Sequence, residues 1–590
     1  MKNRFSAAVA LLLVFTFAIP ARFSAQQQPQ QGGSVRQPSS TGVPNERPRT
    51  TTDAPASRAG ATTPTGAPRP ATTEGIAREL AEALAVIEEN HVDGSKLDYN
   101  DVFKSSINGT LRALDPHSNY FDPQEFEKFI TEQRSEYFGI GAVIGDLRDA
   151  DEVNTYIRAT FENSPAWRAG LRYGDRVVAV DDKSMRNKTF SEVREHLLGP
   201  RGTKVKVTVA RLGTGKEEVF DITRDAVSRP SIPEAYMIRP GVGYVAMTGG
   251  FNTTTSDEFR DALADLHGQG MRMLVLDLRG NGGGLLREAV RVANTFLRRG
   301  QLILTQKGRI RGSSQIHMAD NESPDPTPLV VLVNGQSASA SEIVAGALQD
   351  HDRALIVGEN SFGKGLVQLP FQLEYGSAML LTIAKYYTPS GRLIQRDYSQ
   401  GGLYDYYTRG GYGSREEQRK QQTPATPAGP VSRTDTGRVV YGGGGIMPDE
   451  VVQPRLISPA QQRLADPIFA FALKLAAGQV AGFENYKVQR PIDFEHDLKP
   501  SDFPMNEALF KSFKEFVASK PSYSKHTPAQ LDRERAYIER QLRYELATAA
   551  FGSNAAFQVF NIDDPQIMRA IELLPRARDL AQSARRAPLP

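Results

Sequence analysis

The chain has 590 residues, of which 39% are hydrophobic and 24% charged, so it is long enough for several domains and can bury a substantial core. Its 71 basic and 68 acidic side chains give a net charge of +3, which provides no reason to expect a nucleic-acid partner. Cysteine is absent, which excludes disulfide bonds, a cysteine nucleophile and cysteine-bound zinc.

Residues 1–25 have the pattern of a secretory signal peptide. Lys2 and Arg4 precede an apolar run that has the length of a signal h-region and is too short to span a bilayer. We therefore predict export to the periplasm or cell envelope, with cleavage after Ala25. The alternative is an uncleaved anchor that tethers the protein to a membrane. Residues 26–72 are rich in Gln, Pro, Ser, Thr and Gly and are predicted to be a disordered tether, because they cannot bury enough apolar surface to fold.

Three regions of different periodicity follow. Residues 73–133 have the three- to four-residue spacing of amphipathic helices. Residues 134–227 contain alternating, strand-like segments and are predicted to form a separate β-rich module. In residues 228–458, short apolar runs such as 273–278 and 329–333 are each followed by a Gly- or Ser-rich turn and a helical pattern. That arrangement is typical of layered α/β domains.

Two further segments are distinguished by composition and periodicity. Residues 399–438 are rich in Gly, Tyr, Gln and Pro and are predicted to be a mobile insertion in the α/β region. Residues 459–590 are predicted to be a mainly helical C-terminal extension, clearest at 533–550 and 566–574. Pro575 is expected to end the second of these helices, because proline cannot donate the hydrogen bond that continues a helix.

Residues 334–342 place three serines and several small residues between a buried strand and a helix. Such a turn can present a serine oxygen beside the free N–H groups of the helix N-terminus. A histidine base is poorly supported, because His351 lies at the far end of the same helix, about 18 Å away at 1.5 Å per residue. Neither a G-x-S-x-G nor an H-E-x-x-H motif is present. The structural alternative is that Ser341 caps the helix and the small residues only allow close packing.

Lys364 is the other candidate base. It stands between two glycines, just after the apolar strand 355–357. Burial would lower its pKa from about 10.4 toward about 7–8, where the neutral amine can accept the proton of a serine. Gln368 is suited to hold this amine by a hydrogen bond. A lone lysine in a loop is more often an exposed residue, so Lys364 taken alone leaves both interpretations open.

The segments Ser-Ala-Ser-Ala-Ser-Glu at 337–342 and Phe-Gly-Lys-Gly at 362–365, followed by Val-Gln, resemble the C-terminal processing peptidases. These enzymes are also called tail-specific proteases and form part of the S41 family. The resemblance implies that Ser339 is the nucleophile and that Lys364, 25 residues later, is its base. It also implies that Gln368, four residues beyond, belongs to the catalytic group.

Residues 277–284, Asp-Leu-Arg-Gly-Asn-Gly-Gly-Gly, resemble the motif that helps to form the oxyanion hole of this family. Glycines expose their N–H groups without a Cβ in the way. The resemblance implies that the oxyanion is held by the amide of Ala340 and by that of Gly282 or Gly283. The alternative is a glycine-rich turn that only connects a strand to a helix.

The β-rich module resembles a PDZ domain in the order of its Tyr-Phe-Gly-Ile-Gly segment at 137–141, its Gly-Asp-Arg-Val segment at 174–177 and its Gly-Pro-Arg-Gly-Thr segment at 199–203. PDZ domains add a peptide as an extra strand and hold its terminal carboxylate with backbone amides. The resemblance assigns the peptide-binding loop to Phe138, Gly139, Ile140 and Gly141. An apolar pocket that includes Leu197 would receive the last side chain. The alternative is a PDZ domain that only packs against the protease.

The fold class predicted is multidomain α/β, with an S41-type protease core of mixed sheet and helices, an inserted β-rich PDZ domain and flanking helical regions. The predicted function is a serine endopeptidase that cuts C-terminal regions of envelope or secreted proteins, with no metal or organic cofactor. Expected partners are protein or peptide substrates with free apolar C-termini, an adaptor protein and further copies of the chain. The alternatives are an inert PDZ scaffold and a structural envelope protein. The extension 459–590 has no counterpart in the resemblance and is not expected to touch the catalytic residues.

Overall fold

The computed structural model describes residues 72–134, 136–150, 152–399, 429–488 and 491–586. The predicted signal peptide, nearly all of the predicted tether and residues 400–428 of the predicted insertion lie outside these residues. Within the described ranges, no helix is both long and apolar enough to cross a membrane. The chain divides into two compact units, with the boundary between Ile107 and Asn108.

The unit that ends at Ile107 contains helix α1, Thr73–Asn90, a 3₁₀ turn at Gly94–Lys96 and the first part of helix α2, Tyr99–Arg112. Helix α1 begins where the side chain of Thr72 accepts a hydrogen bond from the amide of Gly75. No residue of this described helix is buried. Its apolar side chains therefore remain exposed, among them Ile76, Leu80, Val86 and Ile87.

In the larger unit, the end of helix α2 is followed by a short strand, a helix and an antiparallel module. The first two are β1 (Asn119–Phe121) and α3 (Pro123–Glu132). The strands of the module are β2 (Glu136–Gly139), β3 (Ala142–Asp149), β4 (Glu152–Thr160), β5 (Arg176–Val180), β6 (Lys183–Ser184), β7 (Lys204–Ala210), β8 (Glu217–Thr223) and β9 (Asp225–Ser228). Its helices are α4 (Pro165–Ala169) and α5 (Phe190–Leu197). The main sheet has the order β3-β4-β5-β7-β8, so β3 is an edge strand of the described sheet.

Two more sheets follow. Their strands are β10 (Glu234–Arg239), β11 (Val242–Ala246), β12 (Met273–Asp277), β13 (Leu302–Gly308), β14 (Gln315–Met318), β15 (Leu329–Val333), β16 (Ala354–Gly358), β17 (Leu366–Gln372), β18 (Ala378–Tyr387) and β21 (Glu450–Val451). The central sheet has the order β10-β11-β12-β15-β16-β21 and is parallel from β11 onward. The second sheet joins β1, β18, β13 and β14, with β17 also paired to β18. A hairpin of β19 (Val431–Arg433) and β20 (Val439–Tyr441) includes part of residues 429–438, the described part of the predicted insertion.

Both faces of the central parallel sheet are covered, as its nearly continuous apolar strands require. In β15, Leu329, Val331 and Val333 belong to one core and Val330 and Leu332 to the other, because successive side chains point to opposite faces. The first core is shared with helices α6 (Thr255–Gly268), α7 (Leu286–Asn294) and α8 (Ala340–Asp350). The second core is completed by a helix from the C-terminal extension.

The extension is helical. Its helices are α9 (Pro459–Gln462), α10 (Ala465–Ala476), α11 (Glu507–Ser519), α12 (Pro528–Arg533), α13 (Arg535–Asn561) and α14 (Pro565–Arg586), with 3₁₀ turns at Glu484–Tyr486 and Pro521–Tyr523. The prediction that Pro575 ends a helix is wrong, because α14 continues past it. Burial of Leu573, Leu574 and Ala577 against the sheet offsets the free-energy cost of the backbone hydrogen bond that Pro575 cannot make.

The extension also packs on the antiparallel module. Leu147 and Tyr173 of that module lie in the same hydrophobic core as helices α10, α11 and α13. Glu545 on α13 accepts hydrogen bonds from Arg158 at 2.6 Å and from the hydroxyl of Tyr173 at 2.9 Å. The guanidinium carbon of Arg158 lies 3.4 Å from the ring centroid of Phe469. The predicted multidomain α/β fold, with a β-rich module and flanking helices, is confirmed.

Candidate active site

The serine turn lies at the carboxyl end of β15, where helix α8 begins. Ser339 occupies the N-cap position, with a φ of +57° and ψ of −111°, a conformation that non-glycine residues seldom adopt. Ser341 is therefore not the cap; its hydroxyl donates to the carbonyl of Asn281 at 2.8 Å. The Oγ of Ser339 is buried and has no hydrogen-bond partner among the described residues. A buried hydroxyl in a strained backbone conformation is a common feature of functional sites.

Glu342 joins the serine turn to the lysine loop. Its fully buried carboxylate accepts hydrogen bonds from the amide of Ser339 at 2.7 Å, the amide of Lys364 at 2.9 Å and the amide of Gly363 at 2.6 Å, and one from the Ser361 hydroxyl. Burial raises the pKa of Glu342, although these donors act to lower it. The first two amides share one carboxylate oxygen, so the backbones of the serine and the lysine are held side by side.

Tyr386 on β18 makes a second link between the same two residues. Its hydroxyl lies 3.0 Å from the carbonyl oxygen of Ser339 and 2.9 Å from that of Lys364. The side chain is fully buried, and this burial raises its pKa well above the usual range. The neutral hydroxyl therefore donates to one of the two carbonyls at a time. Glu342 and Tyr386 together bind the backbone of each candidate catalytic residue from two directions.

Lys364 is almost completely buried, at 1% exposure. Desolvation is the main cause that lowers its pKa from 10.5 to about 7, while the charges of Asp115 and Glu342 act in the opposite direction. Its Nζ donates to Oε1 of Gln368 at 3.0 Å. With this pKa, about half of the amine is neutral at pH 7, and the neutral form can accept a proton.

A distant segment, Asp115–Ser118, supports the lysine from outside the loop. The carbonyl of His117 accepts a hydrogen bond from Nε2 of Gln368 at 2.8 Å, which fixes the amide so that its oxygen faces Lys364. Asp115 orders the segment by accepting from the amides of His117 and Ser118, each at 2.8 Å. Burial, together with the charges of Lys364 and Arg396, lowers the pKa of His117 well below its usual value. This histidine is therefore neutral beside the lysine.

The glycine-rich segment 277–284 packs directly against the serine turn. Gly283 has a φ of +102°, and a Cβ at this position would lie 2.8 Å from the Cβ of Ser339. The amide of Gly283 donates to Oδ1 of Asn281 at 2.9 Å. The amides of Gly282 and Ala340, by contrast, have no acceptor among the described residues. These two amides are thus available to a ligand; that of Ala340 directly follows Ser339, and that of Gly282 precedes the glycine that packs on it.

The structure brings Ser339, Lys364 and Gln368 into one buried cluster with the glycine-rich segment. It does not contain a hydrogen bond between the Ser339 hydroxyl and the lysine, since that hydroxyl has no described partner. Hydrogen bonds of catalytic groups are often loose before substrate binds. Sequence reasoning gave no role to Glu342 or Tyr386. The spacing of Ser339 and Glu342 is that of a capping box, which is a signal for the first of them.

The predicted peptide-binding loop lies between β2 and the edge strand β3. Phe138 and Gly139 belong to β2, which pairs with β9. The amides of Ile140 and Gly141 have no acceptor in the described structure. Ile140 and Leu197, at the end of helix α5, lie in the core of the module, each 5% exposed. The loop is adjacent to helix α5 and to the start of edge strand β3, which pairs with no further described strand; near its end, the amide of Arg148 donates to Asp466 of the extension at 3.4 Å.

Comparison with known proteins agrees with these observations. Residues 241–427 match the model of Peptidase family S41, and residues 157–211 match that of a PDZ domain. A carboxy-terminal-processing protease of Bartonella bacilliformis is 35% identical over 302 residues, which are 50% of this chain and 68% of the relative. The carboxy-terminal processing protease CtpA of Bacillus subtilis is 33% identical over 302 residues, 51% of this chain and 63% of the relative. A solved structure of the photosystem II D1 C-terminal processing protease is 30% identical, covering 54% of this chain and 90% of that one, with a TM-score of 0.31.

The chain therefore belongs to the carboxy-terminal-processing proteases, peptidases of family S41 that carry a PDZ domain. The resemblance drawn from the sequence motifs is confirmed. The matched regions include the serine turn, the lysine loop and the glycine-rich segment, but not the C-terminal extension.

Proposed function

We propose that this chain is a serine endopeptidase that acts on the C-terminal regions of exported proteins, with Ser339 as nucleophile and Lys364 as general base. The observation that carries the proposal is the burial of Lys364, which lowers its pKa to about 7, in a cluster that shares Glu342 with Ser339. An ordinary exposed lysine stays protonated at neutral pH and cannot accept a proton from serine.

The first step is attack on a peptide carbonyl. The neutral amine of Lys364 takes the hydroxyl proton of Ser339, and the serine oxygen bonds to the carbonyl carbon. Gln368 accepts a hydrogen bond from the amine and so orients it, and His117, which accepts from Gln368, fixes that glutamine in turn. The protonated lysine then donates its proton to the leaving amine, and water hydrolyses the acyl-enzyme with the lysine again acting as base.

The oxyanion of the tetrahedral intermediate is assigned to the amides of Gly282 and Ala340. Both lack an acceptor among the described residues, whereas the amide of Gly283 is already used by Asn281. Amides fixed beside the nucleophile stabilise developing negative charge without reorganisation, and removing one such donor typically costs about 100- to 1,000-fold in kcat.

Substrate capture is assigned to the PDZ domain. Residues 138–141 bind the terminal carboxylate, and the part of edge strand β3 that follows this loop pairs with the peptide as an added strand. The apolar surroundings of Ile140 and Leu197 favour an apolar last residue. The N-terminal sequence pattern supports export as the route by which the enzyme meets its substrates.

The test compares the parent protein with Ser339→Ala and Lys364→Ala on an unfolded protein that ends in an apolar tail. Cleavage by the parent alone is expected. Lys385→Ala is the matched control, because Lys385 is an exposed lysine on β18 and its loss should leave cleavage unchanged. Cleavage that survives Ser339→Ala or Lys364→Ala would disprove the mechanism. An otherwise identical substrate ending in Asp tests the PDZ assignment, for which slower cleavage is expected.

A further inference from the structure

Arg279 is a buried arginine in the glycine-rich segment, at 5% exposure, and it is bound on two sides. From its own segment, Asp277 accepts from Nε at 3.0 Å and from one terminal nitrogen at 2.7 Å. The other terminal nitrogen donates to both carboxylate oxygens of Asp564, at 3.0 and 3.1 Å, and to Oε1 of Gln566 at 2.6 Å. Burial alone would lower the pKa of Arg279, but the charges of Asp277 and Asp564 raise it well above its usual value.

The backbone that follows Arg279 is joined to the serine turn at several points. The amide of Gly280 donates to Oδ1 of Asn334 at 3.0 Å. The carbonyl of Asn281 accepts from the amide of Ala338 at 3.0 Å and from the hydroxyl of Ser341 at 2.8 Å. A displacement of Arg279 would therefore move both the glycine amides and the turn that carries the nucleophile.

The outer ligands of Arg279 come from the C-terminal extension. Asp564 caps helix α14, since its Oδ1 accepts from the amides of Gln566 at 2.9 Å and Ile567 at 3.0 Å. Gln566 is 1% exposed and also donates to the carbonyl of Val452 at 2.7 Å. Asp564 and Gln566 thus lie at the start of helix α14, which covers the sheet, and also bind Arg279 of the glycine-rich segment.

We propose that Asp564 and Gln566 are positioning residues for the peptidase reaction, which act through Arg279 on the segment that supplies the oxyanion amide of Gly282. This inference rests on the proposed function. It assigns to the extension a part in transition-state stabilisation, in addition to its packing on the sheet. The extension touches neither Ser339 nor Lys364 through these residues; its effect passes through the arginine.

The test is Asp564→Asn, assayed beside Asp563→Asn. Asparagine remains a good helix cap, so helix α14 is preserved while the bidentate carboxylate is lost. Asp563 is the adjacent, exposed carboxylate; it binds Arg455 and Arg540 and does not touch Arg279. We expect kcat on the unfolded substrate to fall about 10-fold in Asp564→Asn, with KM within about twofold, because a displaced oxyanion donor weakens binding of the transition state only. Asp563→Asn should match the parent.

A charge-relocation variant separates positioning from simple stability. In Asp564→Asn/Gln566→Glu, a carboxylate returns to the same nitrogen of Arg279 from the neighbouring side chain, while the hydrogen bond from Gln566 to the Val452 carbonyl is lost. Gln566→Glu alone measures the effect of that loss, and after correction for it we expect at least half of the lost kcat to be regained. Parental kcat in Asp564→Asn would overturn the inference, as would an equal loss in Asp563→Asn. A loss that is matched by a lower unfolding midpoint and is not recovered in the double variant would overturn it too. Each of these results leaves the proposed peptidase function intact, since Ser339→Ala reports on that function separately.

Discussion

Replacement of Lys364 by methionine should stabilise the protein while it abolishes cleavage. Lowering the pKa of this lysine from 10.5 to about 7 corresponds, at about 1.36 kcal/mol for each pH unit, to about 5 kcal/mol of folding free energy lost at pH 7 and below. Methionine has a similar volume and no charge to bury. The substitution leaves Oε1 of Gln368 without its donor, which costs about 1–3 kcal/mol. The net gain expected at pH 7 is therefore about 2–4 kcal/mol.

The pH dependence of this gain identifies its cause. Well above pH 10.5 the lysine is neutral in both the folded and the unfolded protein, so its burial no longer costs protonation free energy. As the pH falls toward 7, the unfolded chain binds a proton that the folded protein binds only weakly, and the parent loses stability. From pH 7 to pH 9.5, the advantage of Lys364→Met should shrink by about 3 kcal/mol.

The measurement is urea unfolding followed by circular dichroism, with Ser339→Ala in both proteins to prevent self-cleavage. The transition that includes the central sheet is compared at pH 7 and pH 9.5. Lys385→Met, an exposed control on β18, should show no such difference. The reasoning is refuted if Lys364→Met is no more stable than the parent at pH 7, or if the difference between them does not depend on pH.

Three other results are expected. Because only the neutral amine of Lys364 accepts a proton, kcat/KM should fall about 10-fold for each pH unit below 7 and level off above about pH 8; a flat profile from pH 5 to 8 would contradict this. Gly283→Ala should reduce kcat at least about 100-fold and also lower the melting temperature, because its Cβ would displace Ser339 and the backbone of Ala338 at a positive φ; cleavage measured beside the melting curve checks both, and parental values would contradict the prediction. Tyr386→Phe should lower kcat about 10-fold, because the hydroxyl that links Ser339 to Lys364 is lost; parental kcat would show that Glu342 suffices.

Local patterns in the sequence identified most of the architecture. The short run of Leu and Val at 329–333 forms the strand β15, as its branched side chains and its length predict, and the small residues before α8 allow the turn at Ser339. The helix expected to stop at Pro575 continues, because the contacts that stabilise it come from a sheet formed by distant parts of the chain. A local rule contains no information about those contacts.

The candidate site shows the same limit. Motif spacing pointed to Ser339, Lys364 and Gln368, and the structure brings all three together. Two supporting contacts were not predicted, because their partners are far apart along the chain: His117, whose carbonyl accepts from Gln368, lies about 250 residues before it, and Asp564, which binds Arg279 of the glycine-rich segment, lies about 285 residues after that arginine. Charge and hydrophobicity patterns along one sequence do not specify which distant polar groups will meet.

The cover that helix α14 provides for the central sheet has a consequence for how the protein folds. Strands β11 to β16 are synthesised long before residues 565–586, yet Val330, Leu332 and Val357 have no cover on that face until α14 docks. A nascent chain that has produced only the sheet therefore presents a broad apolar surface, and closing the loop to α14 is a late, slow event. We expect chains truncated before residue 565 to aggregate or to be captured by chaperones, because they expose this apolar face of the sheet.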